Sequence, residues 1–147
     1  MGEDNQPNGI NSLLQSEKDF FDRQAEARVN LSEDAEPWEV PLRKYAEGYL
    51  MGNLSGKKAL DLGCGLGREC IWLARRGAIV TGVDISAVSI TKAQGLAKRA
   101  GLNISFIVQD ADNLGCANEY DIIFCKGFLH HLTHVKESLC RYRQYLR

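Results

Sequence analysis

The sequence predicts an α/β fold built on a parallel sheet and preceded by helices. Three observations lead there. From Lys58 onward, short apolar or β-branched segments alternate with helix-patterned ones, the rhythm of successive βαβ units. The first apolar segment runs straight into Gly63-Cys64-Gly65-Leu66-Gly67, a nearly bare backbone where a strand would turn into a helix. Ahead of Lys58 the apolar spacing is helical only.

The elements follow in order. Residues 1 to about 15 read as a loose tail, rich in Asn, Gly and charge. "SEKDFFDRQAEAR" reads as a helix with Phe20 and Phe21 on its apolar side, "VNLSEDAEP" as a turn, and "PLRKYAEGYLMGN" as a second helix with Leu42, Tyr45, Tyr49 and Leu50 at helical spacing. "KALDLG" is a short strand, and "GRECIWLARRG" is a helix stopped by Gly77. "AIVTGVD" is a β-branched strand. In "SAVSITKAQGLAKRAG", Ser86 can cap a helix that Gly101 ends, with Ile90, Ala93, Ala97 and Ala100 on one face. "NISFIVQD" and "YDIIFCKG" are strands flanking "ADNLGCAN", a loop or short helix. "HLTHVKESLCRYRQYLR" is a last helix, with Val135, Leu139, Tyr142 and Leu146 as its apolar face.

Composition narrows the function classes. The chain has 147 residues, about one domain, with 44% hydrophobic and 25% charged residues and a formal net charge of -1. It has no basic surplus to neutralise a phosphate backbone, so nucleic acid is not an expected partner. No apolar run approaches the ~20 residues of a membrane helix. The polar, acidic N-terminus does not read as a secretory signal, and Gln6 stands where myristoylation wants Ser or Thr. The five cysteines, Cys64, Cys70, Cys116, Cys125 and Cys140, form no C-x-x-C pair. They suit neither a disulfide framework nor a zinc site, and read as buried or half-buried thiols in a reducing, cytoplasmic setting.

Gly63, Gly65 and Gly67 admit two readings: a tight turn alone, or a turn whose backbone must touch a ligand. The spacing departs from the dinucleotide fingerprint G-x-G-x-x-G, whose third glycine would fall at Arg68. The stretch "ALDLGCGLG" instead has the form acid-x-G-x-G-x-G, with Asp61 as the acid.

In that form, and over roughly residues 57 to 147, the sequence resembles the class I S-adenosylmethionine-dependent methyltransferases. The resemblance implies a Rossmann-like three-layer αβα fold with strand order 3-2-1-4 among the four strands present. It implies S-adenosyl-L-methionine as cofactor, a small-molecule methyl acceptor, and a division into a tail and helix, 1–35, and a partial cofactor-binding domain, 36–147. The turn residues Asp61, Gly63, Cys64, Gly65 and Gly67 become cofactor-binding candidates, as does Ile85 beside Asp84. Asp84 ends the second strand 17 residues after Gly67, where a carboxylate can accept from two ribose hydroxyls. Its alternative role is to complement the dipole of the following helix. By resemblance, Asp110 accepts from the adenine amino group and the Ala111 N–H meets the ring; the alternative is a turn acid, a part Asp112 can also play. Lys126, by resemblance, lies in the turn passing the methionine end of the cofactor.

His130 and His131 are the candidates for a catalytic base, since an imidazole can take a proton near neutral pH. On a helix at most one of the two points inward. Helix capping is the competing role. With His134 they lack a carboxylate or thiol at ligand spacing, so no metal is expected. Pro37-Trp38-Glu39 is similar to the segment preceding the fold in thiopurine- and tellurite-type small-molecule methyltransferases, where an aromatic covers the cofactor; Trp38 takes that part, or staples helices to the core.

The resemblance also implies a seven-stranded sheet ordered 3-2-1-4-5-7-6, so this chain reads as C-terminally truncated. The fourth strand, Ile122-Ile123-Phe124, is then an exposed edge open to self-association. Three readings compete: a methyltransferase, a non-catalytic truncated cofactor-binding fragment, and an NAD(P)-dependent oxidoreductase. Arg68 argues against the third.

Overall fold

The computed structural model describes residues 8–28 and 54–147. The second predicted helix, the turn before it and Trp38 lie outside the described residues. The helices are α1 (Asn8–Ala27), α2 (Arg68–Ala74), α3 (Ala87–Arg99) and α4 (Val135–Tyr145). The strands are β1 (Lys58–Leu62), β2 (Ile79–Asp84), β3 (Ser105–Val108) and β4 (Ile122–Phe124), and 3-10 turns cover Ala111–Asn113 and Leu129–His131. The strands form one parallel sheet in the order β3-β2-β1-β4, as the resemblance implies.

β1 pairs on both sides and buries four of its five residues, Asp61 among them. Leu60 and Leu62 pack with Val83, Tyr142 and Tyr145 on one face. Ala59 packs with Cys70, Trp72, Leu73, Val80 and Ile90 on the other. The punctuation predicted for α3 is present at both ends. The Ser86 hydroxyl accepts the Ser89 N–H, and beyond the last turn Gly101 (φ +68) lets Leu102 N–H reach Ala97 O and its own N–H reach Lys98 O.

Four expectations are corrected. Residues 8–15, expected as tail, are helical; Gln15 bonds Asp19 at 2.7 Å and Ser16 bonds Ser12 O at 2.9 Å, both at i,i+4 spacing. The last helix starts at Val135 rather than at the histidines, which sit on a separate 3-10 turn. Its buried face is Ser138, Tyr142 and Tyr145, while Val135 and Leu139 are exposed. The hydroxyls decide this. Ser138 Oγ donates to Asp112 at 2.9 Å and Tyr145 Oη to Ala111 O at 3.1 Å, turning that face inward. Leu146 is past the helix and extended; it forms a parallel bridge with Tyr120, just ahead of β4. All five cysteines are free, Cys64 and Cys70 buried, but Cys140 is exposed rather than covered. Among the described residues no helix is long and apolar enough to cross a membrane.

Candidate functional site

The carboxyl ends of all four strands open onto one cavity of about 1190 Å³, the place where parallel sheets take ligands. Its floor is the turn after β1, where Gly63, Gly65 and Gly67 have φ of +68°, +52° and +73°. All three backbones are strained for any other residue, yet each glycine answers a different demand. A β-carbon at Gly65 would meet nothing within 4 Å, so the missing side chain leaves open space in the cavity. A β-carbon at Gly63 would lie 2.5 Å from Phe128 Cδ2. At Gly67 it would lie 2.9 Å from Ala93 Cβ, against the fold and away from the cavity wall.

Asp84, at the end of β2, is on the wall with Cys64 and Ile85. Its Oδ2 accepts Gly65 N–H at 2.8 Å and its Oδ1 accepts Ser86 N–H at 2.9 Å. Burial pushes its carboxyl up from the ordinary value, and those two main-chain donors pull it back. The carboxylate thereby ties the glycine turn to the start of α3. Asp110 and Ala111 follow β3 on the same wall. Asp110 caps the 3-10 turn, accepting Asp112 N–H at 3.0 Å and Asn113 Nδ2 at 2.9 Å. Asp112 plays a different part and holds Arg141 at 2.7 Å. Burial alone would raise its carboxyl; Arg141, Tyr142 and Ser138 outweigh burial and lower it.

Lys126, beyond β4, lines the cavity and pairs with Glu69 at 2.8 Å. Asp61 is not on the wall. It lies beneath the turn, 2% exposed, accepting Cys70 Sγ at 3.2 Å. Burial first, and then the charge of Glu69, push it up to about 8.

Both histidines line the cavity, their ring centroids 3.8 Å apart. This corrects the expectation that only one points inward: the pair stands on a short, exposed 3-10 turn ahead of α4, with no packed helix face to choose between them, and both border the wide cavity. The His131 ring meets Phe21 edge-on at 5.0 Å. Burial and then His130 lower its pKa from the ordinary 6.5, against a raising contribution from Glu17.

One wall is not foreseeable from the sequence. α1 closes the cavity with Leu14, Glu17, Phe20, Phe21 and Gln24. The adjacent phenylalanines mark an apolar side, but nothing local to them says what that side covers. Phe128 over Gly63 escapes sequence reasoning for the same reason. Among the described residues no group of three or more His, Cys, Asp or Glu is arranged to hold a metal ion.

Comparison with known proteins agrees with this fold. Residues 59–147 match a family described as a methyltransferase domain. The ubiquinone biosynthesis O-methyltransferase of Coxiella burnetii (strain RSA 493 / Nine Mile phase I) is 44% identical over 94 residues, 63% of this chain and 39% of the relative. The Pasteurella multocida (strain Pm70) enzyme of the same name is 30% identical over 151 residues, covering 94% of this chain and 62% of its own length. The chain thus spans under two thirds of these relatives. Among solved structures, Haemonchus contortus phosphoethanolamine N-methyltransferase 1, in complex with phosphoethanolamine and S-adenosylhomocysteine, superposes with a TM-score of 0.72 at 25% identity, covering 91% of this chain and 30% of that one. The PH0226 protein from Pyrococcus horikoshii OT3 gives 0.62 at 32% identity, over 72% of this chain and 50% of that one.

Proposed function

Because the chain belongs to the methyltransferase-domain family, we propose that it binds S-adenosylmethionine in the cavity at the sheet's carboxyl end and methylates a small molecule. The observation that supports this best is the pairing of Gly65 with Asp84. A bare, positive-φ position opens onto the cavity, and its N–H is fixed by a carboxylate on the same wall. That is a cradle for a ligand that rests on main chain and offers hydroxyls to an acid.

Each residue then has a role. Gly65 lets the turn lie against the cofactor, and Gly63 beside it makes room for Phe128. Asp84 accepts from the ribose hydroxyls; each of its oxygens keeps a lone pair beyond the main-chain donor it already holds. Asp110 and Ala111 flank the base, while Cys64, Ile85 and Lys126 complete the wall. When bound, the sulfonium supplies an already activated methyl group. The chain's own contribution is alignment and exclusion of water, an effect that can reach about 7–11 kcal/mol in the best cases. The relatives are named for O-methylation in ubiquinone biosynthesis, which supports an oxygen nucleophile on the acceptor. His131 is the better placed base. Burial and His130 lower its pKa, which favours the neutral ring that can accept a proton, and Phe21 meets the ring edge-on.

Calorimetric titration with S-adenosylhomocysteine tests the reading. The wild-type chain is expected to bind, and Asp84→Ala to bind at least about tenfold more weakly through the lost hydrogen bonds. No binding, or a preference for NAD, would overturn it.

A further inference from the structure

Asp84 is held by a relay that begins on another element. Ser86 is fully buried, and its N–H donates to Asp84 Oδ1 at 2.9 Å. Its hydroxyl accepts the Ser89 N–H at 3.0 Å and donates to Asp22 Oδ1 on α1. The same Asp22 oxygen accepts the Val88 N–H at 3.2 Å. Nearby, Lys92 of α3 donates to the carbonyls of Ala25 and Glu26 at the end of α1 and of Arg28 just after it. α1 is therefore fastened to α3 at two points, and one of them is two residues from Asp84.

The arrangement has a physical logic. A hydroxyl has one proton, and a buried one must commit it. Asp22 takes that proton and leaves the Ser86 oxygen free to cap α3. Its negative charge also suits the N-terminus of that helix. The Ser86 N–H, and the carboxylate that accepts it, are fixed as a result. Phe21 and Gln24, on either side of Asp22 in α1, line the cavity itself.

We infer that Asp22 is a positioning residue for the cofactor site: through Ser86 it holds the Asp84 carboxylate in the pose that grips the ribose, coupling the docking of α1 to cofactor binding. This rests on the cofactor reading proposed above. Such coupling is reciprocal, so a bound nucleoside would in turn tighten α1 on α3.

The test is calorimetry on the full chain with S-adenosylhomocysteine and with its 2′,3′-dideoxy analogue. Asp22→Ala is expected to weaken the first by about tenfold and the second by less than about twofold, because only the first has hydroxyls for Asp84 to hold. Asp22→Asn keeps an oxygen acceptor and should recover most of the loss. Should Asp22→Ala fail to fold, Ser86→Ala makes the same comparison. Equal losses for both ligands would mean that Asp22 merely supports the fold, and an unchanged affinity would remove the coupling outright. A wild-type chain that binds neither ligand would remove the cofactor reading and this inference with it. Binding by the wild type with no discrimination by the variants removes the inference alone.

Discussion

Phe128 lies so close over Gly63 that a β-carbon there would fall 2.5 Å from Cδ2 and 2.8 Å from Cβ of the ring residue. Two residues on, a β-carbon at Gly65 would meet nothing within 4 Å. One motif thus serves packing and ligand space separately. Gly63→Ala forces both a clash and a non-glycine at φ +68°, and is expected to cost roughly 2–4 kcal/mol. Gly65→Ala meets only the backbone strain, about 1 kcal/mol, and should fold. It should nonetheless bind S-adenosylhomocysteine at least about tenfold more weakly, because the added methyl group takes ligand space. Urea unfolding and calorimetry separate the two. Equal stability losses in the two variants would contradict the division.

Asp61 is expected to make stability depend on pH. Burial, and then the charge of Glu69, raise it from 3.8 to about 8 in the fold. A carboxyl raised in the folded state favours the fold while protonated. That contribution is complete below 3.8 and is lost as the pH climbs to about 8. Asp61→Asn keeps an oxygen for the Cys70 thiol and removes the titration. The variant should therefore gain stability over the wild type as pH rises from about 4 to 8, by at most about 1.4 kcal/mol per unit. Parallel stability profiles for the two proteins across that range would show that Asp61 titrates normally.

What is legible in the sequence divides by the reach of the forces involved. β1, the glycine turn, Asp84 at the end of β2 and the Ser86 cap are written in adjacent residues, so pattern and spacing reveal them. The role of α1 is not local. Asp22 and Ser86 are 64 positions apart, and nothing around either announces the other. Hydrophobic spacing finds α4 and its buried Tyr142, but it counts Val135 and Leu139 as core and passes over Ser138 and Tyr145. Hydrogen bonds to Asp112 and Ala111 turn Ser138 and Tyr145 inward. The histidines depart from expectation because they stand on an exposed turn ahead of α4 and not on its packed face.

Tyr145 tests whether α4 supports the loop after β3. Its hydroxyl donates to Ala111 O at 3.1 Å in a buried setting. Tyr145→Phe keeps the ring and strands that carbonyl without its donor, a loss of about 1–2 kcal/mol. Denaturant unfolding should show a lower midpoint with an unchanged slope. No change in midpoint would mean that the carbonyl finds another donor.

The candidate base yields a kinetic prediction with a definite sign. His131 sits at the cavity beside His130, and burial, then that neighbour, lower its pKa from 6.5. The neutral ring is the form that can accept a proton from a hydroxyl. Methyl transfer to an oxygen acceptor should therefore rise with pH through a midpoint below 6.5 and level off near neutrality. His131→Gln should lower kcat by about 10²–10⁴-fold and flatten that limb, while cofactor affinity stays nearly constant, since the ring is not asked to hold the nucleoside. His130→Gln removes the neighbouring imidazole that lowers the His131 pKa, so it should move the midpoint upward and leave the plateau in place. A pH limb that persists in His131→Gln would assign the proton to another group. A loss of cofactor affinity equal to the loss of rate would make His131 a binding residue instead.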